Sequence, residues 1–530
     1  MDLDTDRNYR AIRSRDPRFD GRFFSAVRTT GIYCRPICPA TTPKRENVSF
    51  YPCAAAAEEA GFRPCRRCHP EASPGTPAWI GTSATVSRAL RMISRGDLDT
   101  GSVHTLADKL GIGERHLRRL FTRHLGASPR RIAVTRRIHF GFRLIRETEL
   151  PMSRVAMSAG FPSIRQFNHA IRDSFRSSPT RLRRKSVAGT RRDAGDLLLL
   201  RLSYRPPYRW GAIRDFLAAR AIPGVEIFKG DSYCRVVRTE AGTGVIRVRQ
   251  GEDGHHLLLE VPSLFSADLI RMVERVRRLF DLAADPLPIV SRLRTDPILA
   301  ERIRGRPGIR VPGAWDGFEL AVRAILGQQV TVRGATTLSG RLVRRFGKPL
   351  HASNESGLTH SFPDPETLAR ADCTVAGIPR ARAEAIRGLA REISRKTLVL
   401  ENFSGLEEAV DRLTETPGIG KWTAHYIAMR VLGEPDAFPS GDLGLRRALS
   451  RNGSLISERQ VIRRAEPWRP WRAYAAMYLW LPPIPGKIQR RKKDVAGNRR
   501  DRLTGRKPRP GVPAKRARRP RVRRPLEGGS

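Results

Sequence analysis

The chain has 530 residues, 40% of them hydrophobic, and 99 Lys/Arg against 52 Asp/Glu give it a formal net charge of +47. That length is too great for one core and predicts three or four domains, while the charge calls for a polyanionic partner. No apolar run approaches the roughly 18 residues of a membrane helix, and the N-terminal "MDLDTDRNYR" carries no secretory signal. A reducing compartment is therefore expected, where paired cysteines hold metal more often than they form disulfides.

Four of the seven cysteines form two tight pairs, Cys34-x3-Cys38 and Cys65-x2-Cys68, with 26 residues between them. This spacing suits a tetrahedral four-thiolate zinc site, and by itself leaves open whether the site is structural or reactive. Cys53, between the pairs, reads as an incidental small residue, and Cys234 and Cys373 as core-filling. The stretches "AVRTTGIYCRPICPA", "RENVSFY" and "AGFRPCRRC" resemble the Ada-type methyl-acceptor domain over roughly residues 5–75. The resemblance implies one Zn²⁺ held by Cys34, Cys38, Cys65 and Cys68, with Cys34 taking a methyl group from a methylated DNA phosphate. It also implies backbone contacts from Thr30 and Arg63, whereas a further basic contact of the family is Thr41 here. Zinc keeps a thiol deprotonated at neutral pH. Four thiolates leave the site doubly negative, which repels phosphates but not an uncharged triester, and methylation removes one of those charges. A lesion is thereby converted into tighter DNA binding. The Pro/Ser/Gly stretch "EASPGTPAW" (71–79) closes this region.

Residues 80–182 read as two helix-turn-helix units. Leu106 and Leu110 precede Gly111, and Leu117, Leu120 and Phe121 follow at helical spacing. In the second unit Val155, Ala156 and Ala159 precede Gly160, and Ile164, Phe167, Ile171 and Phe175 form one inward stripe. Arg165, Gln166, Asn168, His169 and Arg172 then face out, a set suited to base edges and phosphates. A connecting helix is expected at about 130–147. "LADKLGIGERHLRRLF" and "AGFPSIRQFNHAIRDSFRSSP" resemble the AraC-type DNA-binding domain, which implies two recognition helices in successive major grooves of promoter DNA. The basic, aperiodic "RLRRKSVAGTRRDAGD" (181–196) reads as a linker.

Strand-like runs such as "GVIRVRQ" and "HHLLLEV" make residues 197–300 a mixed α+β region. In "LTETPGIGKWTAHYIAMR" (413–430) a helix ends before Pro417, Gly418 and Gly420 make a turn, and a helix begins at Lys421. Such glycines let the backbone approach a phosphate, with the amides of the second helix facing it. Asp442 follows in "AFPSGDLGLRRAL", ahead of another helix. Hairpin and spaced aspartate resemble the helix-hairpin-helix-GPD superfamily, and "FELAVRAILGQQVTVRGA" with "RPWRAYAAMYLW" narrows the resemblance to AlkA-like 3-methyladenine DNA glycosylases over about 198–484. It implies that Asp442 supports the developing oxocarbenium sugar and a water. It likewise implies that Trp422, Tyr426 and Trp480 stack on a flipped, cationic base, and that Gln329 stands where the family inserts a wedge, normally apolar. The Schiff-base lysine of lyase members would occupy position 422, which is tryptophan, and no cysteine follows Cys373 to build a C-terminal iron–sulfur cluster.

The expected fold class is multidomain α+β: a small zinc domain (1–78), an all-α double helix-turn-helix domain (79–183), a linker (184–196), an α+β domain (197–300), an all-α helix-hairpin-helix domain (301–484) and a disordered basic tail (485–530). Residues 487–530 hold 18 Lys/Arg against 3 Asp/Glu, a composition for non-specific nucleic-acid binding or for solubility alone. No Pro-Cys-His-Arg motif occurs, so O6-alkylguanine repair is not expected. The resemblances together imply a methyl acceptor, transcription activator and monofunctional base-excision glycosylase in one monomeric chain. Its implied partners are double-stranded alkylated DNA, promoter DNA and RNA polymerase, with no membrane, in the nucleoid of a bacterial cytoplasm. The competing reading is a purely regulatory DNA-binding protein whose C-terminal half is an inactive anchor. Asp442 with its aromatic set favours the first.

Overall fold

Residues 4–74, 84–184, 196–350, 357–400, 403, 405–450 and 454–482 are described by the computed structural model. The expected basic tail, most of the 184–196 linker and most of "EASPGTPAW" lie outside the described residues. Met1–Pro482 cluster as one unit.

Helix α1 (Thr5–Arg13), capped by the Asp4 carboxylate, precedes strands β1 (Phe24–Val27), β2 (Ile32–Cys34), β3 (Val48–Tyr51) and β4 (Arg63–Pro64), with α2 (Ala54–Glu59) between the last two. The sheet order is β3-β1-β2-β4. β2 and β4 run parallel with Tyr33 opposite Pro64, so Cys34 and Cys65 continue the same register. Topology thus brings the two cysteine pairs together.

Eight helices follow: α3 (Ala84–Arg95), α4 (Asp97–Thr100), α5 (Val103–Lys109), α6 (Glu114–Leu125), α7 (Pro129–Glu147), α8 (Met152–Ser158), α9 (Ile164–Phe175) and α10 (Pro179–Arg184). Serine hydroxyls at 102, 128 and 163 cap α5, α7 and α9 by accepting from the third residue on. Phe167, Ile171 and Phe175 are buried as expected, but Ile164 is 44% exposed. It opens the helix beside the cap, one turn short of the core that the rest of the stripe reaches. The expected linker also starts late, because Arg181–Arg184 continue α10 with Leu182 buried.

Strands β5 (Leu197–Ser203), β6 (Glu226–Lys229), β7 (Ser232–Thr239), β8 (Gly242–Gln250) and β9 (His256–Pro262) form an antiparallel sheet ordered β5-β9-β8-β7-β6, with α11 (Trp210–Ala218) between β5 and β6 in sequence and α12 (Leu269–Leu279) after β9. Helices α13 (Pro286–Leu293), α14 (Pro297–Gly305), α15 (Gly317–Leu326), α16 (Val332–Phe346), α17 (Pro365–Arg370), α18 (Arg380–Ser394), α19 (Leu406–Glu415), α20 (Lys421–Ile427), α21 (Leu443–Leu449), α22 (Glu458–Ala465) and α23 (Arg472–Trp480) complete the chain. Asp–Pro pairs open α13, α14 and α17, the aspartate capping and the proline supplying helical φ without a needed N–H. α20 runs on into a five-residue π-turn, Ala428–Leu432, a distortion frequent at functional sites.

The cores cross the boundaries expected from sequence. One cluster joins Ile138 of the connecting helix and Phe167 and Ile171 of the second helix-turn-helix unit to Leu200, Val248 and Leu259 of the sheet. Another joins Cys53 and Ala56 to Leu117 and Phe121 of the first unit. Glu58 sits at a further joint, accepting from Tyr33 Oη at 2.9 Å and Thr135 Oγ1 at 2.8 Å, with His139 Nε2 at 3.0 Å. At a third joint the Glu434 carboxylate receives Arg88 at 3.1 Å and Arg91 at 2.6 Å, while Arg91 and Arg95 also donate to the Gly433 and Val431 carbonyls. Glu434→Ala should cost on the order of 3 kcal/mol by leaving buried guanidiniums without their counter-charge. Calorimetry of the full chain should show a lowered unfolding midpoint, and an unchanged one would mean the joint is not set by this pair.

Candidate functional site

At the end of β2 and beyond β4 the sulfurs of Cys34, Cys38, Cys65 and Cys68 all lie within 4.8 Å of one another. A tetrahedral four-thiolate zinc site has sulfur–sulfur edges of about 3.8 Å, so the donor set needs only to contract onto the ion. Backbone amides of Arg35 and Arg67 point at the Cys68 and Cys65 sulfurs, each at 3.4 Å. The Arg35 guanidinium folds back onto Asp20 and the Cys68 carbonyl, at 2.8 and 3.2 Å, and so braces the metal loop. Cys34 and Cys38 are half-exposed and Cys65 and Cys68 buried. Cys53 is elsewhere: its thiol donates to the Leu125 carbonyl at 3.2 Å, and burial pushes it up to about 12. It is a joint residue between two domains rather than an incidental one. Cys234 and Cys373 are buried in cores, as expected. Thr30 is exposed at the β1–β2 turn, and Arg63 enters β4 with its amide on the Gly31 carbonyl at 2.9 Å. The two occupy the same end of the sheet.

On α9 the first-turn residues Arg165 and Gln166 are exposed, as are His169 and Arg172, while Asn168 is half-buried.

In the C-terminal half, Asp442 is the cap of α21: its Oδ1 accepts from Leu445 N at 3.0 Å. The same oxygen accepts from Trp480 Nε1 at 2.9 Å, and Oδ2 accepts from Trp422 Nε1 at 3.3 Å. Trp422 and Tyr426, a turn apart on α20, stack at 5.5 Å and 9°, and Trp480 of α23 meets Tyr426 at 6.3 Å and 58°. All four side chains are half-buried. Burial would raise the Tyr426 phenol, but the guanidiniums of Arg430, Arg220 and Arg323 outweigh it and lower it; Arg430 donates to its oxygen at 2.7 Å. Burial, aided by Arg472, pushes His425 down to about 4, and its ring accepts the Phe438 amide at 3.4 Å, pinning the segment that leads to Asp442.

Gly418 has φ +87, and a Cβ there would lie 2.4 Å from Ala385 Cβ, so the hairpin turn admits only glycine. Gly420 caps α20. Pro417, Gly418, Gly420 and Lys421 are exposed around the buried Ile419. Gln329 is exposed with φ +53 in the loop between α15 and α16. Its neighbour Gln328 bridges to the Gly418 carbonyl at 2.8 Å and to Thr423 Oγ1 at 3.0 Å, so the loop between α15 and α16 and the hairpin are tied side by side.

Four families match in chain order: "Metal binding domain of Ada" at 7–71, "Helix-turn-helix domain" at 106–185, "AlkA N-terminal domain" at 199–316 and "HhH-GPD superfamily base excision DNA repair protein" at 322–470. The "Probable bifunctional transcriptional activator/DNA repair enzyme AlkA" of Mycobacterium tuberculosis is 43% identical over 91% of this chain and 97% of its own length. The chain belongs to this family of bifunctional activator and repair proteins. Its C-terminal half is 33% identical to "DNA-3-methyladenine glycosylase 2" of Escherichia coli, over 53% of this chain and 95% of the relative. Its N-terminal part is 41% identical to "Bifunctional transcriptional activator/DNA repair enzyme Ada" of the same species, over 24% of this chain and 35% of the relative. A family of this kind carries zinc on the four clustered cysteines. No described helix is long and apolar enough to cross a membrane.

Several residues that shape the site escape a reading by motif. A Cβ on Gly444 would come 2.9 Å from Asp442 Oδ1 and 3.3 Å from Trp480 Cδ1, so this glycine keeps the Trp480–Asp442 contact open. Its only signal is its place two residues after the aspartate. Arg430 reaches Tyr426 from one turn further along, a helical spacing the sequence carries, whereas Arg220 reaches it from the α+β domain, a pairing that no spacing reveals.

Metal analysis of the purified chain should give one zinc per molecule. Cys38→Ala should lose it and Cys53→Ala should keep it, because the Cys53 thiol is committed to Leu125. The reverse pattern would overturn the ligand set.

Proposed function

We propose that this chain couples two responses to DNA alkylation, acceptance of a methyl group from a DNA methylphosphotriester at Cys34 and hydrolytic release of alkylated bases at Asp442. The observation that carries the second is the Asp442 carboxylate held between the indole N–H groups of Trp422 and Trp480. A carboxylate so oriented opposes the positive charge that builds on the sugar as the glycosidic bond breaks, and it orients the water that adds to the sugar carbon. Trp422, Tyr426 and Trp480 offer electron-rich surfaces to a flipped, cationic base. Gly418 and Gly420 bring backbone amides to a phosphate, and Gln329, exposed in a left-handed conformation, serves as the wedge. The exposed Lys421 at the start of α20 lies beside, not at, the position of a Schiff-base lysine, which supports a glycosylase without lyase activity. The scissile product is therefore an intact abasic strand.

At the N-terminal site the bound zinc supplies a thiol kept as thiolate. The Cys34 sulfur attacks the methyl carbon, the carbon–oxygen bond breaks, and the phosphate oxygen leaves with the electron pair as a diester anion. Thr30 and Arg63 hold the flanking backbone. The site loses one negative charge, so repulsion from DNA falls, and Arg165 and Gln166 of α9 engage a promoter. RNA polymerase is the partner this activator would recruit, acting on the chain as a monomer in the bacterial nucleoid. We assign methyl acceptance to 1–78, promoter reading to 79–183 and excision to 197–484.

Asp442→Asn is nearly isosteric but removes the charge. Base release from alkylated DNA should fall at least about 100-fold while duplex binding survives, and borohydride should trap no covalent adduct in the parent chain. Wild-type release by Asp442→Asn would remove the assignment, as would strand cleavage that depends on Lys421. Separately, chains methylated at Cys34 should bind promoter DNA more tightly than unmethylated ones, with a larger gain at low salt than at high salt. Equal affinities at low salt would end the charge-switch account.

A further inference from the structure

Ile164 is exposed where an inward side chain is expected. It is the first residue of α9, directly after the Ser163 cap, and 44% of its surface is open, whereas Phe167 and Ile171 of the same helix are fully buried. The first helix-turn-helix unit supplies an internal control. There the residue directly after the cap of α6 is Glu114, so the fold accepts an acid at this place and does not demand an apolar side chain. The groove of about 810 Å³ that Gln166 shares with Glu114, Arg118, Asp268 and Arg271 is not lined by Ile164. Met157, the other exposed apolar residue of this unit, does line that groove. Of these two exposed residues, Ile164 is the one that lines no groove formed by the described residues.

The first turn of a recognition helix meets base edges, and in the major groove the one apolar feature of those edges is the 5-methyl group of thymine. Arg165 and Gln166, which follow Ile164 in the same turn, supply charge and hydrogen bonds; neither matches a methyl group. We propose that Ile164 is a specificity-determining residue that reads a thymine 5-methyl group in the promoter segment contacted by α9. The inference rests on the promoter-binding reading above. It separates two jobs on one turn: Arg165 contributes salt-dependent attraction, while Ile164 contributes discrimination that salt does not screen.

The test begins with selection of binding sites from a random duplex pool by the full chain. Each thymine of the enriched sequence is then replaced by deoxyuridine, which deletes only the methyl group. Affinity should fall about fourfold at one thymine, the size of one methyl group taken from water. In Ile164→Ala that thymine/uracil ratio should drop to one, while Ile164→Val should retain a preference for thymine. Arg165→Ala should weaken binding to both duplexes alike and keep the ratio. Equal unfolding midpoints for the variants exclude a folding effect at this exposed position. Parent chain that binds thymine and uracil duplexes equally at every enriched position overturns the proposal, as does discrimination that persists in Ile164→Ala. A pool that enriches no sequence would instead remove the promoter-reading function, and this inference with it.

Discussion

In a chain with 99 basic residues against 52 acidic ones, pressing the domains together gathers arginines that need a counter-charge. The structure places carboxylates there. Glu58 of the zinc domain gathers Tyr33, Thr135, His139 and, at 3.4 Å, Arg131; Glu434 of the C-terminal half gathers Arg88 and Arg91 of α3; Asp285 receives Arg22 at 3.0 Å. Burial alone would raise the Glu58 carboxyl, but the hydrogen bonds from His139, Thr135 and Tyr33 outweigh it and lower it. A carboxyl lowered by folding contributes stability above its unfolded value, and that contribution is lost as pH falls through the lowered one. Acid should therefore loosen the joint at Glu58 before it dissolves the apolar cores.

The joint at Glu434 lies on the segment that leads from α20 to Asp442. α3 caps the C-terminal carbonyls of the π-turn with Arg91 and Arg95, and cations favour a helix C-terminus. The same helix presents Trp422 and Tyr426 at its other end. Between Glu434 and Asp442 the chain is fixed by Asp436, which receives Arg472 at 2.8 Å, and by His425 on the Phe438 amide. Asp442 itself does two things with one geometry: capping α21 orients the carboxylate, and the two indoles complete its coordination. A helix cap and the group we propose for catalysis are thus the same residue.

How much of this the sequence discloses depends on the range of the interaction involved. The four cysteines, the Gly418–Gly420 hairpin and the Asp442 loop are legible because each chemistry is written into a short spacing, and the structure gathers each set as expected. Ile164 was misplaced because periodicity describes a whole helix, whereas its first turn lies beyond the core that the later turns reach. Residues 181–184 read as linker because basic residues mask a single buried leucine, Leu182. Glu58, Glu434, Arg220 and Gly444 were illegible for a different reason. Their partners are distant in sequence or, for Gly444, defined by the absence of a side chain, and no local pattern encodes either. The shared cores of the second helix-turn-helix unit and the sheet are hidden in the same way, since alternation shows that a face is buried but not against what.

Committing carboxylates to the joints has a consequence for DNA. Cations left without an acid lie at the surface, as Arg165 on the first turn of α9 and Lys421 at the exposed hairpin, and their attraction to phosphate is blind to sequence and to damage. A chain with this charge will bind any duplex at low salt. Whatever tells a promoter from other DNA, or an alkylated base from a normal one, must come from groups that add little to that attraction. On the roles proposed above, these are the Asp442 carboxylate and the three aromatic rings around it in the C-terminal half, and Gln166 with Ile164 on α9. That reading divides the labour by polarity: cationic side chains would supply affinity everywhere, and the few aromatic and apolar groups exposed at the right points would supply choice.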